Sequence, residues 1–179
     1  MSVDVRDLTG DDSEALRAFF GGIPAEDRTF FWEDVTDPHV ADDWAGDARR
    51  ARRAAFDEQG RILAFAALVP GSDWSSHVSE VVLVVAPQAR RQGLGRALAR
   101  EMLVQALQRG SHKVTVTIAA DSTGTIQMFQ GIGFFPEALL RDQLRSPEDG
   151  ALRDIVVLSH MVDETFSTMV AAGLDGELS

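Results

Sequence analysis

Apolar and polar positions alternate over Val3–Leu8, which predicts a first strand. Asp11 or Asp12 can then cap a helix whose apolar face carries Ala15, Leu16, Phe19 and Phe20, with Gly21-Gly22-Ile23-Pro24 as its break. Ala25–Gly46 is rich in aromatic and aliphatic residues (Phe30, Phe31, Trp32, Val35, Val40, Trp44) and is interrupted at Asp37-Pro38, so it predicts a second, broken helical segment. Arg53–Asp57 and Arg61–Val69, joined by Glu58-Gln59-Gly60, predict a hairpin. Pro70–Ser76 reads as a loop, with Trp74 exposed or folded under, and His77–Ala86 as a fourth strand. Leu94–Arg109 follows the helical period: Leu94, Leu98, Met102 and Ala106 lie four apart, Leu103 and Leu107 widen the stripe, and Gly110 sits at the expected left-handed C-cap. His112–Ala119 alternates again as a fifth strand, so the helix before it closes a βαβ unit with a parallel pair. Ser122 is placed to cap a short helix through Gln130 with Ile126 and Phe129 inward, ended by Gly131 and Gly133. Phe134–Leu144 and Leu152–Val162 predict a second hairpin about the turn Ser146–Gly150, and Glu164–Leu174 a last helix before the tail. Periodicity alone therefore predicts an α/β chain.

The stretch with the most chemistry is Val81–Gly95. A β-branched run, Val81–Val85, is stopped by Pro87, which has no N–H for a ladder. Arg90-Arg91-Gln92-Gly93-Leu94-Gly95 then leads into the long helix. A helix N-terminus offers free N–H groups and the positive end of a dipole, and glycines let an anion approach them. On those glycines alone, a tight strand-to-helix turn without a ligand is an equal reading.

The fuller pattern Val85-Ala-Pro-x-x-Arg-Arg-Gln-Gly-Leu-Gly-Arg-Ala-Leu98 resembles the acetyl-CoA motif of the GNAT superfamily of N-acetyltransferases, Gln/Arg-x-x-Gly-x-Gly/Ala. It lacks the Gly-Lys-Ser/Thr of a Walker loop and the Gly-x-Gly-x-x-Gly spacing of a dinucleotide fingerprint. Downstream, Ser122-x-x-Thr125-x-x-Met128-Phe129-x-x-x-Gly133-Phe134 resembles the same family's Asn-x-x-Ala-x-x-Leu-Tyr-x-x-x-Gly-Phe segment, in the same order. The resemblance covers residues 1–161 as an acyltransferase domain and leaves 162–179 as a C-terminal helix and tail. It implies a GNAT-like α/β sandwich, a mixed sheet of about seven strands with flanking helices and with strands four and five splayed to admit CoA. It implies acetyl-CoA as co-substrate, held by the backbone of Arg90, Arg91, Gln92, Gly93, Leu94, Gly95 and Arg96, with charge from Arg90 and Arg91. The pantetheine arm would run beside Leu83, Val84 and Val85, pairing with main-chain groups of Leu83 and Val85, and Ser122 would offer it a hydrogen bond.

Direct transfer to an amine needs a neutral amine, hence a proton acceptor. Glu80, at the start of strand four, stands where some members of the family place a catalytic glutamate; it also reads as a solvated edge carboxylate. The register decides between the two faces of the strand. Two positions depart from the family pattern. Phe129 replaces the tyrosine that often acts as general acid, in a chain with no tyrosine at all, and Ser122 replaces asparagine. Thr117 stands where a related group of enzymes carries a glutamate. Asp27, Glu33 and Asp34 lie on the implied acceptor side, where a cation could be recognised; the aromatics nearby either pack the core or line that pocket.

Composition narrows the rest. At 179 residues with 45% hydrophobic content, one domain with a real core is expected. With no cysteine there is no disulfide, thiolate metal site or Cys nucleophile, and His77, His112 and His160 lack metal spacing, so no metal is expected. The N-terminus carries no signal pattern and Ile62–Pro70 is too short to span a bilayer, so no membrane partner and a cytoplasmic location are expected. A net charge of −11 argues against nucleic acid and permits a cationic substrate. The cluster Arg49, Arg50, Arg52 and Arg53 reads first as a solvated helix end entering strand two and second as a patch for an anionic group on a ligand or partner. The expected acceptor is a small-molecule or peptide amine, and the resemblance also implies a homodimer, as members of the family often form. Two other readings stay open: an acyl-CoA-binding sensor without turnover, and an acetyltransferase acting on protein amines.

Overall fold

In a computed structural model the described residues are 3–31, 33–47 and 50–162. Seven strands, β1 (Asp4–Asp7), β2 (Ala51–Phe56), β3 (Ile62–Pro70), β4 (Val78–Val85), β5 (Lys113–Ala119), β6 (Phe135–Arg145) and β7 (Leu152–Met161), form one mixed sheet in the order β1-β2-β3-β4-β5-β7-β6. All neighbours are antiparallel except β4 and β5, which are parallel and joined by a crossover helix. Five α-helices, α1 (Ser13–Gly22), α2 (Ala25–Arg28), α3 (Pro38–Gly46), α4 (Leu94–Gln108) and α5 (Thr123–Gln130), cover the sheet. The predicted helix Glu164–Leu174 lies outside the described residues.

The two faces carry two cores. On one, Leu16, Phe20, Phe31 and Trp44 from α1 to α3 pack on Phe65, Ala67, Val82 and Val84. On the other, Leu98, Met102 and Ala106 of α4 and Phe129 of α5 pack on Ala64, Ala66, Val81 and Val114. β3 is buried on both faces, which is why it reads as a continuous apolar run. Phe65 meets Phe20 and Trp44 edge-on, with ring centroids 5.6 and 5.9 Å apart. Phe31 and Trp44 are therefore core aromatics.

Several local expectations are corrected. Gly21 and Gly22 stay inside α1, which ends at Ile23 because Pro24 forces the preceding residue to extended backbone, ψ 150°. Asp12 stands at the α1 N-cap without a side-chain cap bond; its carboxylate turns back to Arg6 and Thr9. The break expected at Asp37-Pro38 is present and opens α3: Asp37 accepts from the His39 N–H at 2.8 Å and Pro38 occupies the first turn, where a missing N–H costs nothing. Of the arginine cluster, Arg49 lies outside the described residues, and Arg50, Arg52 and Arg53 are paired rather than solvated. Arg52 donates to the carbonyls of Trp44 and Ala45 at the end of α3, Arg50 stacks over the Trp44 ring at 4.1 Å, and Arg53 pairs with Glu101 and Asp7. Trp74 is almost fully exposed.

Candidate active site

β4 and β5 begin as neighbours and then separate. Their register runs Val78↔Lys113, Ser79↔Val114, Glu80↔Thr115 and stops. β5 stays paired with β7 along its whole length, and β4 with β3 over Ser79–Val85. The facing edges of residues 81–85 and 116–119 therefore part, and main-chain groups that a continuous sheet would satisfy border a cleft of about 610 Å³. An extended arm of a ligand can add to such an edge as a strand does.

The loop after β4 forms the head of that cleft. Pro87–Ala89 makes a single tight turn, Arg90 is extended, Arg91 is left-handed at φ 60° and Gly93 at φ 85°. Alternation of this kind turns successive N–H groups to one side, as an anion nest does. The α4 ladder begins with the Ala97 N–H on the Gly93 carbonyl at 3.0 Å, and Gly93 supplies no side-chain cap. The preceding amides are the unsatisfied first turn of a helix with its positive dipole end. A Cβ on Gly93 would meet nothing within 4 Å, so that position faces open space. A Cβ on Gly95 would lie 3.4 Å from Val85 Cγ2 and 3.6 Å from Leu83 Cδ2; Gly95 lets α4 start close against β4.

The side chains of this loop are mostly committed elsewhere. Arg90 donates through Nε to the Val85 carbonyl at 3.1 Å and through Nη2 to Asp27 Oδ2 at 2.5 Å. Arg96 donates to the Gly131 carbonyl at 2.9 Å, tying α4 to α5, and Gln92 to the Gln88 carbonyl at 3.2 Å. Arg91 is exposed and lines the cleft. Leu83 packs on the α4 side, Val85 and Leu94 border both cores, and the Val84 side chain points into the core under α1–α3 and offers the cleft only its main chain.

The profile of the Acetyltransferase (GNAT) family matches residues 17–134. The chain belongs to the GNAT acetyltransferase family. Two curated relatives, both named mycothiol acetyltransferase, come from Arthrobacter sp. (strain FB24), 33% identical over 134 residues, and Gordonia bronchialis, 30% identical over 146 residues. The matches cover 71% and 72% of this chain, which spans only 40% and 46% of those relatives. Among solved structures, an N-acetyltransferase from Staphylococcus aureus Mu50 superposes with TM-score 0.78 at 17% identity, over 90% of this chain and 99% of that one. A spermidine N-acetyltransferase chimera from Vibrio cholerae and hSSAT gives 0.72 at 15% identity, over 92% and 98%. These likenesses show the GNAT fold, and the seven-stranded mixed sheet is the layout the sequence resemblance implied.

Within this GNAT frame the carboxylates sort themselves. Side chains two apart on a strand share a face, so Glu80 lies on the side of Val82 and Val84, towards α1–α3. Its Oε1 accepts from Thr117 Oγ1 at 2.9 Å across the opening, and both line the cleft. Glu80 is thus a partly buried cleft residue and not a solvated edge carboxylate. Asp27 lines the same cleft; burial pushes its carboxyl above the ordinary value, and the Arg90 guanidinium opposes that shift. Glu33 and Asp34 are used elsewhere: Glu33 accepts from Trp44 Nε1, and Asp34 from Thr36 N–H at 3.0 Å and Oγ1 at 2.6 Å.

Ser122 lines the cleft at the start of α5, but its side chain makes no cap bond; its carbonyl accepts from Thr125 and Ile126 instead. Phe129 is fully buried, lines the cleft and packs edge-on against Phe134 at 5.1 Å. Phe30, one of the aromatics that the sequence left between core and pocket, also lines it, as do Thr125 and Met128, motif positions to which no role was assigned. His160 is buried against Phe134, with Nδ1 2.8 Å from the Gly133 carbonyl. Among the described residues no group of three His, Asp or Glu side chains is placed to hold a metal ion, and no helix is long and apolar enough to cross a membrane.

Proposed function

We propose that this GNAT protein transfers an acetyl group from acetyl-CoA to a primary amine by direct attack, both substrates being bound together. The observation that carries the reading is the end of β4–β5 pairing after Glu80↔Thr115, with the glycine-shaped loop at the head of the resulting cleft. The site fits the co-substrate on its own chemistry. Residues 91–96 offer backbone N–H groups to a pyrophosphate, with open space over Gly93. Leu83 and Val85 border a main-chain edge for an amide-bearing arm, and Ser122 offers a hydroxyl beside it. Bound there, acetyl-CoA supplies an activated thioester.

The chain's own residues would supply the proton chemistry. Thr117 holds Glu80 Oε1, which leaves Oε2 to take a proton from the incoming ammonium, directly or through one water. Phe129 has no proton to give, so no acid is assigned there. A thiolate leaving group needs less help than an alkoxide, because thiols ionise near pH 8.5. A small-molecule amine is the favoured acceptor, with a peptide amine as its alternative; a cytoplasmic location and a homodimer go with this reading.

The test is release of free thiol from acetyl-CoA by the purified protein with a panel of amines, including mycothiol-related amines, spermidine and basic peptides. Release that depends on one acceptor supports the enzyme and names its class. The second reading, an acyl-CoA sensor without turnover, is favoured by Phe129 in place of tyrosine. It is supported by acetyl-CoA binding with no release on any amine or protein.

A further inference from the structure

The short helix α2 brings Asp27 to the wall of the cleft and is tied down on both sides. Asp27 pairs with Arg90 from the loop after β4. The neighbouring Glu26 lies 3.3 Å from Arg153 Nη2 at the start of β7 and accepts from Ser146 Oγ at 3.2 Å, beside the end of β5. Glu26 thus faces away, on a separate anchor, while Asp27 is the α2 carboxylate that lines the cleft. Its side chain is 31% exposed and its partner in the structure is a guanidinium from within the chain. That guanidinium is also bonded to the Val85 carbonyl, on the β4 edge where the acyl donor's arm is proposed to pair. Arg90 therefore occupies two positions that the two substrates need: a carbonyl on the donor side and a carboxylate on the acceptor side.

Resting on the acetyltransferase reading, we propose that Asp27 is the acceptor's cation anchor, with Arg90 as its internal placeholder, so that the acceptor carries a second ammonium besides the amine that reacts. Glu80 and Asp27 line one cleft on the α1–α3 side and are suited to different tasks. Glu80 accepts from the neutral Thr117 hydroxyl through Oε1, which leaves Oε2 for the reacting amine. Asp27 already holds a cation in the structure and can exchange one for another. When the Val85 carbonyl is taken by the donor, Arg90 loses one of its two bonds and becomes the easier partner to displace. A diamine then places one nitrogen at Glu80 and leaves its other charge on Asp27. The raised pKa of Asp27 is consistent with a half-buried carboxylate that gains from a bound cation.

The test compares 1,4-diaminobutane with n-butylamine as acceptors for acetyl-CoA, in the unaltered protein and in Asp27→Asn. The unaltered protein is expected to favour the diamine in kcat/KM by at least about tenfold, the scale of one partly buried charge pair. In Asp27→Asn that preference falls to about one, through a higher KM for the diamine with kcat changed by less than about threefold. Coenzyme A affinity, measured by calorimetry, is expected to hold or tighten, since Arg90 is released toward the loop; a merely structural role for Asp27 would weaken it. Arg90→Gln gives a second readout: with Asp27 uncovered, 1,4-diaminobutane binds in the absence of acyl donor, which it does not do in the unaltered protein. Equal use of both amines by the unaltered protein, a preference that survives Asp27→Asn, or turnover of neither amine with coenzyme A bound overturns the anchor. Absence of coenzyme A binding in the unaltered protein overturns instead the acetyltransferase reading on which it rests.

Discussion

Thr117 Oγ1 donates to Glu80 Oε1 at 2.9 Å across the opening where β4 and β5 part. The bond fixes the glutamate rotamer and leaves the second oxygen for a reacting amine. If Glu80 takes the proton, Glu80→Gln keeps the shape, loses the base and lowers kcat by about 10²–10⁴, with coenzyme A affinity unchanged. Thr117→Val removes one hydrogen bond to a charged group and is expected to cost about tenfold in kcat. Steady-state kinetics with parallel coenzyme A titration checks both. A Glu80→Gln enzyme retaining more than about a tenth of the activity would move the proton to water or another group.

Gly93 and Gly95 are both small for different reasons, and substitution separates them. At Gly93 the backbone is left-handed, φ 85°, and the missing side chain faces open space. Gly93→Ala is expected to lose about 1 kcal/mol from the left-handed strain alone. Gly93→Val adds bulk over the amides and should lower coenzyme A affinity at least a hundredfold. At Gly95 the backbone is helical and an added Cβ makes an ordinary contact with Val85 at 3.4 Å. Gly95→Ala is expected to be tolerated in both stability and binding, whereas Gly95→Leu must push α4 off β4. Thermal denaturation and coenzyme A calorimetry on the four variants distinguish strain from blockage.

What was legible in the sequence is what local chemistry specifies. The Val81–Val85 run, the stop at Pro87 and the Leu98–Met102–Ala106 stripe each announce their own element, because periodicity and proline act within a few residues. The site's cross-chain pairs do not announce themselves. Glu80 and Thr117 are 37 residues apart, Asp27 and Arg90 63 apart, and each pair is brought together only by sheet order. Asp37-Pro38 marks the break between α2 and α3 in the sequence itself, but that it opens α3 rests on the Asp37 carboxylate accepting from the His39 N–H. Arg90 looks like a phosphate ligand by position, yet the Val85 carbonyl and Asp27 claim its guanidinium.

Asp12 makes stability depend on pH. Its carboxylate is buried and accepts a two-bond fork from Arg6 at 2.8 and 2.7 Å, together with the Thr9 N–H at 2.9 Å and hydroxyl at 3.0 Å. The Arg6 hydrogen bonds first, then those of Thr9, hold its pKa far below the ordinary 3.8. The folded pKa is depressed, so the stabilisation is fully present above the unfolded value near 3.8 and fades as pH falls below it. Asp12→Asn is expected to lose about 2–3 kcal/mol at pH 7, and the gap to the unaltered protein should narrow by pH 2.5. Urea unfolding at the two pH values checks this; a gap that stays constant would mean that the carboxylate charge is not what matters.

Phe129 separates the enzyme reading from the sensor reading. Its ring is 1% exposed, packs on Phe134 and lines the cleft, so Phe129→Ala would cost about 3–5 kcal/mol and say little about chemistry. Phe129→Tyr keeps the ring and adds one hydroxyl. If the protein already turns over, departure of a thiolate that ionises near pH 8.5 is not the hard step, and the hydroxyl should change kcat by less than about threefold. If the protein is a sensor that has lost a general acid, the same substitution should create acceptor-dependent thiol release where the unaltered chain shows none. Thiol release by both proteins, on the same amine panel, assigns Phe129 to one role or the other: a packing residue beside a working site, or the residue whose missing hydroxyl keeps a bound acyl-CoA from reacting.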